Sequence, residues 1–339
     1  MQRDIEIVID FLTFTVHSAT KPDPYRAIKD ILDMDIMQFE HSNKGVNFYQ
    51  KTLHYNNIRV LYDGVHGEKM GVCVNMSGQG CRAYEEHSGN SIMSLLDKIA
   101  RNPDINITRI DIACDDKKGI LDLTKIWKYA NDGNYRTRLV KRNNYESFDG
   151  KNTGAKTIYF GSRSSQYYIR IYDKAKQSNS DIETDLETTT DKPSSVHWIR
   201  FEISLKGDYA VQAAGFLVLS ESMNKSIGEV VSGIINAKFA FIEPDNENIS
   251  RCSVAKWWTK FLGNIHEVEF LSKQKYNHGI DEHKKWLRES CGRVIAKVFY
   301  AIGEERFFKE ILEYGNHKLS VADVAMVRDY QQRESLNEH

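Results

Sequence analysis

The first half of the chain alternates apolar and polar residues with period two, and the second half turns to helical spacing. Ile5–Val16 is dense in β-branched and aromatic residues and predicts a strand. Pro24–Glu40 has helical spacing at Ala27, Ile28, Ile31, Leu32 and Ile36. Val46–Tyr55 and Ile58–Tyr62 form a hairpin pattern around Asn56-Asn57. Met70–Met76 predicts another strand, closed by a tight turn at Ser77-Gly78-Gln79-Gly80, with a short helix over Cys81–Glu86. Ser91–Arg101 and Leu121–Asn131 are amphipathic helices, the second with Asp122 as a natural N-cap. After a strand at 197–206, helical spacing continues to a polar tail, with Trp257, Trp258 and Trp286 as helical core. The pattern predicts an α+β fold: a mostly antiparallel central sheet flanked by helices over 1–207, then a helical region over 208–339.

Composition narrows the classes. At 339 residues, 41% of them hydrophobic, the chain buries a core without staples. Its apolar runs, such as Ala213–Leu219, are far shorter than the ~20 residues of a membrane span. The N-terminus, Met1-Gln-Arg-Asp-Ile-Glu, is too acidic for a signal peptide. Five cysteines without a CxxC pair argue against a disulfide framework or zinc ribbon, so a reducing cytoplasm is the expected location. A net charge of −1 denies the chain a global basic field, but residues 136–176 hold ten basic against three acidic residues. Arg136, Arg138, Lys141, Arg142 and Arg163 in that stretch, together with Arg109, predict a track for a nucleic-acid backbone, with Tyr135, Tyr145 and Phe148 placed to stack on unpaired bases; a merely solvated basic face is the other reading of the stretch. Gln177–Pro193 follows as an acidic, polar loop.

Three strands carry the chemistry on one face. Arg109, Asp111, Ala113 and Asp115 alternate with Thr108, Ile110, Ile112 and Cys114. Tyr168, Arg170, Tyr172 and Lys174 oppose Tyr167, Ile169 and Ile171. Trp198, Arg200, Glu202, Ser204 and Lys206 oppose His197, Ile199, Phe201, Ile203 and Leu205. A wet sheet face explains any one of these strands, but acidic residues are disfavoured mid-strand, and three such faces together assemble carboxylates, arginines and a tyrosine. That inventory suits metal-assisted phosphoryl transfer. Asp111 and Glu202 are oxygen donors for Mg²⁺ or Mn²⁺, with Asp115 a further ligand or a supporting carboxylate. Arg170 and Arg200 can neutralise a phosphoryl group, and Tyr172 can attack it, leaving a 5′-phosphotyrosine and a free 3′-OH. Tyr168 shares the face and competes for the nucleophile's role, while Asp10 on the first strand reads as structural. No two histidines are separated by a single residue, and the chain contains neither HExxH nor a P-loop, which leaves an ATPase or zinc hydrolase poorly supported.

The segment Thr157-Ile-Tyr-Phe-Gly-Ser-Arg-Ser-Ser-Gln-Tyr-Tyr-Ile-Arg-Ile-Tyr172-Asp-Lys174 resembles the active-site segment of the Rep_trans family. That family covers initiators of rolling-circle plasmids and MobT/NicK-like relaxases of conjugative elements. The resemblance maps the family's nucleophile onto Tyr172 and sets Lys174 beside it. Thr108–Asp115 and Trp198–Lys206 are similar to two further family strands, which aligns Asp111 and Glu202 with acidic positions at a metal site; Ser204 stands where a second Glu is common. It implies a relaxase or replication initiator that nicks one origin strand, recruits a host PcrA-type helicase and forms a homodimer. Two alternatives remain open on residues alone: a non-enzymatic origin-binding protein, and a nuclease in which water attacks.

Overall fold

Antiparallel pairing organises the first 206 residues. In the computed structural model the described residues are 5–17, 22–149, 152–177, 197–266 and 292–317, with single positions at 280, 284, 287, 288, 319, 327, 330 and 331. The strands are β1 (Ile5–Val16), β2 (Glu40–Ser42), β3 (Tyr49–Tyr55), β4 (Ile58–Gly64), β5 (Val72–Ser77), β6 (Ile105–Asp116), β7 (Tyr135–Thr137), β8 (Arg142–Asp149), β9 (Asn152–Phe160), β10 (Tyr167–Asp173), β11 (Ile199–Lys206) and β12 (Phe239–Phe241). Ten of them form one sheet in the order β2-β3-β4-β5-β1-β6-β11-β10-β9-β8, and β7 pairs with β12 separately. The 12-residue β1 and β6 lie side by side at its centre.

The helices are α1 (Gly78–Ser88), α2 (Ile92–Ala100), α3 (Leu123–Asn131), α4 (Asp208–Leu219), α5 (Ile227–Lys238), α6 (Lys256–His266) and α7 (Gly292–Ile302). Caps set several starts: Ser91 Oγ accepts the Ser94 N–H, Asp122 accepts those of Thr124 and Lys125, and Ser226 forms a capping box with Glu229. One sheet face is continuous hydrocarbon, with Ile110, Ile112, Ile169, Ile171, Phe201 and Ile203 all buried. Phe201 meets the Trp258 and Phe261 rings of α6 at 5.4 and 6.0 Å, and α4 packs on β6 and β11. Burying such side chains contributes about 1.5–3 kcal/mol each, so these helices complete the sheet's core. One compact unit accordingly runs Met1–Ser272, and the boundary expected at 207 falls inside it; Lys273–His339 forms a second unit, described by α7 and the helical turns over Glu304–Asn316.

Three local expectations are corrected. The helix expected over Pro24–Glu40 ends at Ile31, because Asp33 adopts φ 53° and a 3-10 turn at Ile36–Gln38 leads into β2. Ser77–Gly80 is no separate turn: Ser77 is the N-cap of α1, which starts at Gly78. β12 lies where only helix was expected. The Asn56-Asn57 hairpin stands as read, with Asn56 at φ 47°. The expected acidic loop lies outside the described residues from 178 on. Cys73, Cys81, Cys114 and Cys252 are buried free thiols, and no helix among the described residues is long and apolar enough to cross a membrane.

Candidate active site

Register converts the alternation of β6, β11 and β10 into rows across the sheet's polar face. Tyr172, Arg200 and Asp115 stand in one row, Arg170, Glu202 and Ala113 in the next, and Tyr168, Ser204 and Asp111 in the third. The three polar faces predicted from sequence therefore belong to one surface. Ala113 gives the middle row only a methyl group between Asp111 and Asp115.

Arginines bind the rows together. Arg170 Nη2 donates to Glu202 Oε2 at 2.6 Å and to the Tyr172 hydroxyl at 3.2 Å, and that hydroxyl donates to the same Oε2 at 3.3 Å. Arg109 donates through Nε and Nη2 to the two oxygens of Asp111, at 2.9 and 2.6 Å, and through Nη2 to the Tyr168 hydroxyl at 2.9 Å. Arg200 forks onto Asp115 at 2.6 and 2.7 Å, a fixed bidentate geometry, while its Nη1 ion-pairs with Asp10 at 2.7 Å.

Asp10 is the residue that the sequence reading took as structural. The β1–β6 register slips between Ile9 and Phe11, so Asp10 is the extra residue of a β-bulge, a device that re-aims side chains beside sites. It reaches Arg200 on the polar face, where Phe11 also lies with the Arg109 guanidinium 4.0 Å from its ring centroid. A Cβ on Gly78 would collide with Asp10 Oδ1, and one on Gly80 with the Asn57 carbonyl, so both glycines permit close backbone approach. The signal available in sequence was an Asp inside an otherwise β-forming run.

Several expectations need adjusting. Asp115 was grouped with Asp111 and Glu202 as a metal ligand, but both of its oxygens are engaged by Arg200. Arg200 was to clamp a phosphate, and its fork is taken up by Asp115 instead. Arg109 was assigned to the DNA track and sits in the site. Lys174, half-buried, holds Nζ 5.9 Å from the Tyr172 ring centroid. Arg136 donates to the Ser250 carbonyl at 3.2 Å, and Arg142 to that of Ala130, where it closes the end of α3. Arg138, Lys141 and Arg163 are exposed. Arg138 and Lys141 line a groove of about 450 Å³ with Ser162, Ser164, Ser165, Gln166, Tyr167 and Tyr209. Tyr135 is core, stacked at 6.0 Å on Phe239, whereas Tyr145 is exposed; the Phe148 side chain lies outside the described set.

Electrostatics follows from burial. Tyr172 is 3% exposed, and burial with the Glu202 charge pushes its phenol well above the usual tyrosine range while Arg170 and Arg200 pull it back. Burial, opposed by Arg170 and supported by the charges of Asp111 and Asp10, raises the Glu202 carboxyl. Burial and neighbouring Arg200 lower Lys174. Burial raises Tyr168 as well, supported by Asp111.

Three observations test whether a divalent ion suits these residues. The donors are carboxylate oxygens; of Glu202 only Oε2 takes part in the described hydrogen bonds, whereas both oxygens of Asp111 accept from Arg109, as those of Asp115 do from Arg200. Burial and like charges disfavour the Glu202 anion, a strain that a cation relieves. Ser204 Oγ, fully buried between Tyr168 and Asp111, lies against the Tyr168 hydroxyl and helps to offset the effect of burial on that phenol, so it is no mark of a missing ligand. No three His, Cys, Asp or Glu residues able to hold a metal converge among the described residues, and of the expected ligands Glu202 is the one with an oxygen outside the described hydrogen bonds.

Comparison with known proteins bears on the same surface. Residues 6–97 match the N-terminal domain of rolling circle replication initiation proteins. The chain is 28% identical over 285 residues to a putative DNA relaxase NicK of Bacillus subtilis (strain 168), covering 82% of this chain and 77% of that protein. The solved structure of a rolling circle replication initiator protein from Geobacillus stearothermophilus superposes with a TM-score of 0.65 at 26% identity, covering 78% of this chain and 98% of that one. The replication initiation factor profile (Rep_trans) spans residues 105–313, which include β6, β10 and β11 with all three rows of the site, and the chain belongs to that family.

Proposed function

We propose that this protein is an origin-specific DNA relaxase and replication initiator that nicks one strand by transesterification through Tyr172. The observation that carries the reading is the contact of the Tyr172 hydroxyl with both Arg170 and Glu202 on a face shared with Asp111. Family membership and likeness to a relaxase and an initiator support the same substrate. A Mg²⁺ or Mn²⁺ ion held by Glu202, and by Asp111 once Arg109 turns away from it, would polarise the scissile phosphate and favour the leaving 3′ oxygen.

The residues divide the work. The Tyr172 oxygen forms a bond to phosphorus as the P–O3′ bond breaks, which gives a 5′-phosphotyrosine and a 3′-OH that a polymerase can extend. Glu202 accepts the hydroxyl hydrogen bond, orients the phenol and takes its proton as the oxygen attacks. Arg170, with part of its side chain exposed, turns from Glu202 and Tyr172 toward phosphoryl charge. Arg200, held by Asp115 and Asp10, keeps a fixed positive charge directly across from Tyr172 and favours the phenolate. Lys174 protonates the leaving oxygen. Arg138, Lys141 and Arg163 carry the strand's phosphates, while Arg136 and Arg142 support the neighbouring chain. The family resemblance extends the reading to plasmid or conjugative-element origins, a PcrA-type helicase, a homodimer and a cytoplasmic location.

The test is a supercoiled plasmid carrying the origin of the protein's own genetic element, incubated with Mg²⁺ or Mn²⁺ and stopped with SDS. Relaxed circles with covalently attached protein, lost in EDTA and in Tyr172→Phe, are the expected result. Nicking that persists in Tyr172→Phe without an adduct would reassign the protein as a hydrolytic nuclease.

A further inference from the structure

Away from the site, two turns of the same sheet present side chains that folding does not use. Residues 43–48 link β2 to β3, and residues 65–71 link β4 to β5. Tyr49 pairs with Gly64, so the two turns lie side by side. Backbone groups stitch them together: the Phe48 carbonyl accepts the Val65 N–H at 2.9 Å, and the Tyr49 hydroxyl donates to the Met70 carbonyl at 2.8 Å. Asn47 and Phe48 are successive left-handed residues, with φ 54° and 67°. That region favours glycine and tolerates Asn, and a bulky ring there is an outlier. Burial would offset such strain, yet Phe48 is 71% exposed, and its described ring contact is with exposed His66 at 5.7 Å. Val46 and Val65 beside it are 44% and 53% exposed. Glycine at position 48 would remove the strain and forfeit little buried surface, so the ring is kept for what it presents to solvent.

Register sets this tip at the same end of the sheet as the exposed cations. There β3 begins and β4 ends, β5 begins beside the end of β1, β6 begins, β11 ends, and β10 and β8 begin. Arg163 lies in the loop before β10, and Arg138 and Lys141 precede β8. Five strand spacings separate β4 from β10, about 24 Å along the sheet. Lys44 and Lys69 are exposed on the two turns against Glu68, since Asp63 at the end of β4 is ion-paired with Lys51 at 2.8 Å. Val46, Phe48 and Val65 fall far short of the area of about 800 Å² that each partner gives to a stable protein interface, but one ring suits one flat base. We propose that Phe48, flanked by His66, is a stacking platform for an unpaired base of the origin strand at a distance from the nick. The proposal rests on the reading of this protein as a nicking enzyme of origin DNA. Phosphates running past Arg163, Arg138 and Lys141 continue toward the tip, where Lys44 and Lys69 meet those flanking the stacked base. Every base has a π-face, so the contact anchors the strand without reading its sequence. Because the turns are already fixed to one another, little order is lost on docking.

The test uses single-stranded origin oligonucleotides that span the nick and both flanks, with 2-aminopurine substituted at one position at a time. Stacking quenches this base analogue, so titration with the full-length protein locates the platform. In the wild type, quenching is expected at a position several nucleotides from the nick. Phe48→Gly and Phe48→Asn suit the left-handed backbone and should hold the thermal midpoint. Both should lose the quench at that position and bind about 10-fold more weakly, whereas Phe48→Trp should keep the quench and the affinity. An abasic site at that position should weaken the wild type to a similar extent and Phe48→Gly no further. Quenching and affinity unchanged in Phe48→Gly and Phe48→Asn would overturn the proposal and leave the tip as a contact for a protein. Absence of any covalent adduct between the wild type and the same oligonucleotides would instead overturn the reading of the protein as a nicking enzyme.

Discussion

At the scale of single residues, the site is a set of charges that burial makes costly and that neighbours hold in place. In the proposed reaction Glu202 works as an anion that takes the Tyr172 proton and holds a cation, yet burial and the charges of Asp111 and Asp10 keep its carboxyl above the usual range. Since the ionised form is the working one and the folded value is raised, activity is lost earlier on acidification than for an ordinary glutamate near about 4.3. Single-turnover nicking of an origin oligonucleotide should therefore show its acid limb clearly above that value; a rate that holds constant down to it would contradict this environment. Tyr172 is raised too, so the phenol stays protonated at neutral pH and the rate should climb on the alkaline side. The polar faces of β6, β10 and β11 were legible because period-two alternation fixes side chains once a strand is assigned. Asp10 was not, because a bulge breaks that alternation and depends on the partner strand. Nor could spacing along one strand show that Asp115 and Arg200 would neutralise each other across two.

At the scale of elements, short polar devices set where the strands end. Asp116, fully buried at the end of β6, accepts the backbone N–H groups of Lys118, Gly119 and Leu121 and lies 3.3 Å from His197 Nε2. It closes the turn that leads to α3, one position beyond Asp115. Hydrogen bonds to a charged acceptor are the stronger kind, so Asp116→Ala should cost about 2–4 kcal/mol in urea unfolding. An unchanged midpoint would show that the turn holds without it. The start of α1 depends equally on Gly78, where a methyl group would displace Asp10. Gly78→Ala should weaken nicking through Asp10 and Arg200 while far-UV circular dichroism shows the helix retained; full activity would separate Asp10 from the site. The helix expected over 24–40 failed for a related reason: apolar spacing persists through a left-handed Asp33 that no periodicity records.

At the scale of the whole molecule, a nearly neutral chain leaves three cations of the predicted track exposed. Arg138, Lys141 and Arg163 are exposed around the β9–β10 loop, whereas the other cations of the predicted track serve the site or nearby carbonyls. Each phosphate contact on a single strand contributes about 0.7 to the slope of log K against log salt. Neutralising all three should lower that slope by about 2 in fluorescence-anisotropy titrations of single-stranded origin DNA. An unchanged slope would place the backbone contacts elsewhere. The α+β class and the central sheet could be read from sequence, but the extent of the first unit could not. Whether helices 208–266 belong to the sheet depends on which face of the sheet lacks a cover, and only tertiary contacts between Phe201, Trp258 and Phe261 reveal it.

Tyr172 as a 5′-end nucleophile is tested most directly by transfer of label. A single-stranded origin oligonucleotide labelled at its 3′ end, incubated with protein and Mn²⁺ and resolved under denaturing conditions, should place label on the wild-type chain and none on Tyr172→Phe. The same oligonucleotide labelled at its 5′ end should release a free fragment ending in 3′-OH. Label carried by Tyr172→Phe at the wild-type level, or protein bound to the 5′-labelled fragment, would contradict the account.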